Sequence, residues 1–129
     1  MSLPAVDVAF LAERAIPHEV LLDGGVICVL LPGWVFPPGY DRASADLLLR
    51  LMPGYPDVPP DMWWFDPAVR RLDAVQIPGT DLSETHLGRQ WQRWSRHFTP
   101  GQWQSGTDGL ESFLALIGSE LARYAGMAA

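Results

Sequence analysis

The spacing of apolar positions divides the chain into two unlike halves. Residues Ala5 to Ala15 read as a short opening helix, with Val6 and Phe10 and, more loosely, Ile16 as its apolar stripe and Pro17 closing it. Glu19 to Asp23 and Val26 to Phe36 are extended apolar runs joined at Asp23-Gly24-Gly25, a hairpin signal. The core of the second run, Val26 to Leu31, scarcely alternates, which predicts a strand buried on both faces. Ala45 to Met52 reads as a third strand and Met62 to Phe65 as a fourth. Between them, Pro53 to Pro60 carries too many fixed-φ residues for helix and predicts a rigid polyproline-like flap. Short connections favour an antiparallel meander.

In the second half, Val69 to Gly79 is compatible with a short hairpin or an irregular loop. Leu87, Trp91, Trp94 and Phe98 recur at helical spacing, which predicts a helix with Arg89, Arg93 and Arg96 as a basic stripe on its opposite side. The last helix has the clearest pattern: Asp108 with Glu111 as a capping pair, then Leu110, Phe113, Leu114, Ile117, Leu121 and Tyr124 on one face. Together these elements predict an α+β fold in which an N-terminal helix and C-terminal helices pack on one face of a four-stranded antiparallel meander.

Composition narrows the function classes. The 129 residues suit one domain, 1–129, and the net charge of -6 argues against nucleic-acid or anionic-membrane binding. No apolar run approaches the roughly 20 residues that span a bilayer, and the N-terminus lacks a signal-peptide pattern, so a soluble cytoplasmic protein is expected. Cys28, the single cysteine, excludes an intrachain disulfide and a cysteine-based zinc cluster. All nine basic side chains are arginine, which leaves no lysine amine for acylation. Arginine-biased codon usage is the plainer source of that bias.

Leu49-Arg50-Leu51, Gly54-Tyr55-Pro56-Asp57-Val58-Pro59-Pro60 and Trp103 ahead of Leu110 to Leu121 resemble the ubiquitin-conjugating enzyme (E2) superfamily in content and order. Pro60-Asp61-Met62-Trp63-Trp64, Gly79-Thr80-Asp81, Thr85-His86-Leu87-Gly88-Arg89 and Trp91 to His97 narrow the resemblance to prokaryotic E2 family E, over roughly Glu19 to Arg123. The resemblance implies an E2-like fold and a part in handling a ubiquitin-like protein beside an E1-like activating enzyme, with a JAB-type metalloprotease as a further pathway partner. It also suggests the flap residues Tyr55, Pro59 and Pro60 as partner contacts. Ordinary E2s carry a catalytic cysteine about eight residues before the tryptophan that leads the next helix. Here that position is Ser95, and no cysteine follows Cys28. His86 stands where the histidine of the ordinary His-Pro-Asn motif is expected, without the proline or the asparagine.

The candidate chemistry is therefore unconventional. Cys28, in an apolar run, reads as a buried hydrophobe with nothing basic near it in sequence to lower its pKa. Ser95 could take an acyl group as an oxyester with His86 or His97 as base, although on a helix Ser95 and His97 would diverge. The plainer reading of Ser95 is an exposed serine on a turn. Asp81, with Glu84, could orient an imidazole; the spacing fits no metal motif, and no cofactor signature occurs. Arg89, Arg93 and Arg96 read either as a solvated face or as a docking face for an acidic tail. Two functions lead on this pattern: a non-cysteine E2-like component, or an inert E2-variant adaptor that scaffolds the E1-like enzyme and the ubiquitin-like protein; a hydrolase acting on its own with the histidines and Asp81 is a third.

Overall fold

The computed structural model describes residues 2–125. In chain order the elements are α1 (Ala5–Glu13), β1 (Glu19–Asp23), β2 (Val26–Val35), β3 (Ser44–Leu51), β4 (Met62–Asp66), β5 (Leu82–His86), β6 (Arg89–Ser95) and α2 (Leu110–Arg123). The strands form one antiparallel sheet of six, not four, in the order β1-β2-β3-β4-β6-β5. The first four match the expected meander. The segment expected as a helix over Leu87 to Phe98 is instead the second arm of a hairpin, which adds the last two strands.

The physical reason lies in the turn and in the depth of β6. His86 pairs with Arg89 across a two-residue loop, where Leu87 (φ 55) and Gly88 (φ 73) both take left-handed backbone. Such loops match the twist of the strands they join. Successive strand residues face opposite sides, so Trp91 and Trp94 point to opposite faces, and both are buried. A helical stripe and a strand buried on both faces leave the same spacing in the sequence.

The first face of the sheet carries Ile27, Val29, Leu31, Leu47, Leu49, Trp63, Phe65 and Trp94, and is covered by α2 through Phe113, Leu114, Ile117 and Leu121. Each such side chain contributes about 1.5–3 kcal/mol on burial. The second face carries the smaller cluster of Cys28, Leu48, Trp64 and Trp91. β2 therefore lies between two apolar layers, as its lack of alternation predicts. Trp63 and Trp64 divide between the two faces, and neither is exposed.

The opening helix has another inner side than expected. Val6 is 72% exposed, while Leu3, Asp7 and Leu11 turn inward and Phe10 packs partly against the core. Asp7 explains this orientation. Its carboxylate is 2% exposed and accepts the Leu110 backbone N–H at 3.0 Å and the Tyr55 hydroxyl at 2.8 Å. The cap of α2 thus comes from α1 and not from Asp108, which accepts the Gln104 N–H at 2.6 Å. Gly109 is required here, since a Cβ at that position would lie 2.7 Å from Asp7 Oδ1. Among the described residues, no helix is long and apolar enough to cross a membrane.

Candidate functional site

The flap between β3 and β4 is fastened at several points. Besides the Tyr55–Asp7 bond, the Trp103 indole donates to the Pro56 carbonyl at 2.8 Å, and the Ser105 hydroxyl donates to Asp57. Burial, then the bond to Asp7, pushes the Tyr55 phenol far above its ordinary pKa, so it remains a donor. Pro60 is buried, and Tyr55 and Pro59 are half-buried. The flap is thereby held against the loop that leads into α2.

Cys28 is wholly buried in β2. A basic neighbour invisible in the local sequence does reach it: Arg50 pairs across the ladder and donates to Sγ at 3.5 Å. Burial nevertheless outweighs the guanidinium and raises the thiol pKa. The thiolate that ordinary acyl transfer requires is disfavoured there.

Ser95 ends β6, opposite Met62 of β4, and its backbone N–H donates to the Gly79 carbonyl at 2.9 Å. His86 lies opposite Arg89 at the other end of the hairpin. Six residue steps along β6, from Arg89 to Ser95, separate the two positions, a span of about 20 Å. His86 and Ser95 therefore do not converge. Asp81 is exposed just before β5. His97, two residues beyond Ser95, is near it in the chain, and its Nδ1 lies 3.1 Å from Asp61 Oδ2. Asp61 is the carboxylate that sequence reasoning missed. Its only sequence signal was its place at the end of the flap.

His86 belongs to a different constellation, centred on Glu84. The carboxylate is 3.0 Å from His86 Nε2, accepts the Trp64 indole N–H at 3.0 Å and pairs with Arg93 at 2.6 Å. Burial draws the Glu84 pKa upward, but these three partners outweigh it and hold the group below its ordinary value. A depressed folded-state pKa contributes stability that is present above the unfolded value, near 4.5, and lost as pH falls. Thermal melts should accordingly show the protein losing stability below about pH 4.5, and Glu84→Gln losing less over the same window. Identical acid profiles for the two proteins would contradict this role for Glu84.

The three arginines expected as one stripe divide between the two sides of the sheet. Arg89 pairs with Asp46 and Asp66 at 2.9 and 2.8 Å and lies over the Trp91 ring at 4.4 Å. Arg93 is held by Glu84, and Arg50 by Asp23 at 2.7 Å. Trp64 and Trp91 are only 5% and 1% exposed, yet neither helix packs on their cluster. Their cover is this lattice of ion pairs, with arginine stems over aromatic rings. Arg96, on the other side, bonds Glu120 at 3.2 Å and the carbonyls of Pro78 and Ser95 at 2.9 and 2.8 Å. Their sequence spacing predicted one stripe, either solvated or docking; the structure splits that stripe and gives each arginine an intramolecular partner.

A sheet with both helices on one face, a Tyr-Pro-x-x-Pro-Pro flap after β3 and a tryptophan before α2 is an E2-like arrangement. The family model of prokaryotic E2 family E matches residues 3–124, and the chain belongs to that family. Membership connects it with ubiquitin-like protein conjugation. No match to the chain was found among curated proteins or among solved structures.

Proposed function

We propose that this protein is an E2-variant adaptor that holds a ubiquitin-like protein and an E1-like enzyme together without carrying an acyl group. The observation behind this reading is the state of the segment where an ordinary E2 has an irregular crossing with its nucleophile. Here β6 runs between β4 and β5, paired on both sides, and Ser95 ends it with neither His86 nor His97 hydrogen-bonded to it. The buried Cys28 supports the same reading.

A second reading keeps chemistry at Ser95, with His97 oriented by Asp61 as the base; it rests on their 3.1 Å contact. In that case the Ser95 hydroxyl attacks the activated carboxyl carbon, His97 takes its proton, and the activating group leaves as the oxyester forms. Intact-mass analysis after incubation with the pathway's E1-like enzyme, the ubiquitin-like protein and ATP separates the two. The adaptor reading expects a stable complex at micromolar concentrations and no covalent adduct. A reductant-resistant, alkali-labile adduct that disappears in Ser95→Ala would replace it with the second reading. Absence of both complex and adduct would reject both.

A further inference from the structure

We propose that the small pocket between α2 and the adjoining ends of β4 and β6 binds a primary carboxamide group, with its carbonyl oxygen inward. This goes beyond the adaptor reading and does not depend on it. The pocket has a volume of about 70 Å³. Trp63 and Phe113, both buried, form its floor, and the exposed Asp61, His97 and Gln102 stand around its mouth. Such a space suits about two waters or one group of similar bulk.

The ligand is indicated by two buried donors. Among the described residues, three buried side-chain nitrogens meet no hydrogen-bond partner, and two of them, Trp63 Nε1 and Arg96 Nη2, belong to residues of this pocket. The Trp63 side chain is 0% exposed. Such donors are uncommon in folded proteins, since each has given up its bond to water without a replacement. Arg96 is not free to turn toward one. Its Nε donates to Glu120 at 3.2 Å, and its Nη1 donates to the carbonyls of Pro78 and Ser95. The rings of Trp94 and Tyr124, 5.2 and 5.3 Å from its guanidinium carbon, steady the plane but offer Nη2 no in-plane lone pair.

Hydrogen-bond sign and charge together select the occupant. Both unpaired groups are donors, so a cation, which only donates, would leave them as they are. The acceptors on the wall are engaged: Glu120 by Arg96 and Arg123, Asp61 Oδ2 by His97 at 3.1 Å, and Gln102 Oε1 by the Thr99 N–H at 2.9 Å. The charge of Arg96 is thus already offset by Glu120, and a carboxylate stands at the mouth. An anion would enter against that like charge. An uncharged oxygen acceptor satisfies the donors without this cost. Asp61 Oδ1, with no partner among the described residues, is an acceptor for an N–H at the mouth. A carboxamide therefore answers both ends of the pocket, where a ketone or an ester answers one. Phe98 and Leu116 supply apolar walls for its carbon stem.

Acetamide, acetate and acetamidinium share one shape and differ in charge and in donor or acceptor character. The test titrates each into the intact protein and follows the Trp63 indole N–H by NMR, identified as the signal lost in Trp63→Phe. Acetamide is expected to shift that signal saturably at millimolar concentration, the range open to so few heavy atoms. The Trp91 indole, bonded to the His86 carbonyl on the other face, should not move. Acetate and acetamidinium should bind more weakly by about tenfold or more. Arg96→Lys should weaken acetamide about tenfold, the scale of one charge-assisted bond. Leu116→Phe fills the pocket from a half-buried wall and should abolish saturation, which keeps the test decisive if the lysine variant fails to fold. Tighter binding of a blocked glutamine than of acetamide would assign the group to a partner's side chain, and weaker binding to a free small amide. Preference for acetate or acetamidinium, no saturation, or equal shifts at Trp63 and Trp91 would each overturn the proposal. A water cross-peak at the Trp63 indole that acetamide leaves in place would overturn it in favour of a buried water alone. The titration contains neither E1-like enzyme nor ubiquitin-like protein, so its failure leaves the adaptor reading standing.

Discussion

Replacing Trp94 with alanine is expected to lower the unfolding free energy by about 4 kcal/mol, as measured by denaturant titration. Trp94 is fully buried between α2 and the sheet. Its ring lies 6.0 Å from that of Trp63 in a stacked arrangement and 5.7 Å from that of Phe65 edge-on. Its indole N–H also donates to Gln92 Oε1 at 3.1 Å, the same oxygen that accepts the Val69 N–H. Alanine would therefore leave a cavity and remove one of the bonds that hold the Gln92 amide against Val69. Trp94→Phe, which retains the aromatic contacts, should lose distinctly less. A loss below about 1 kcal/mol for the alanine variant would mean that β6 is not a strand buried on both faces.

Asp7→Ala should cost about 3 kcal/mol, from two hydrogen bonds to a charged group and a buried amide left without its acceptor. The amide is that of Leu110 at the start of α2, and the other donor is the Tyr55 hydroxyl of the flap. One carboxylate thus joins three parts of the chain that are distant in sequence. Asp7→Asn retains one acceptor oxygen and should be milder. Hydrogen exchange adds a local readout: the Leu110 amide should exchange faster in Asp7→Ala. Unchanged exchange together with unchanged stability would remove Asp7 from this role.

The first four strands were legible because each has a strong local signature. Asp23-Gly24-Gly25 marks the first turn, and Val26 to Leu31 shows burial on both faces in its composition alone. The flap was legible through its prolines, and α2 through its stripe. The β5–β6 hairpin was not. Leu87-Gly88 is a weak turn signal compared with Asn-Gly, because leucine rarely takes left-handed backbone. The tryptophan spacing then favoured a helix over a strand. Helical geometry places these arginines on one stripe, and it hides the partners that hold them. Asp46, Asp66 and Glu84 come from other strands and meet the arginines only through register. Asp7 was hidden for a related reason, since a buried carboxylate on an amphipathic helix reads as solvent-facing until its partners are known.

The strand order also bears on how the chain reaches this fold. β1 with β2, β2 with β3, β3 with β4 and β5 with β6 are each consecutive in sequence, and only β4 with β6 joins segments separated by another strand. Two local assemblies, a four-strand meander and a hairpin, can therefore form with little loop entropy to overcome. Their docking along β4 closes the longest connection between paired strands of the sheet, from Asp66 to Arg89.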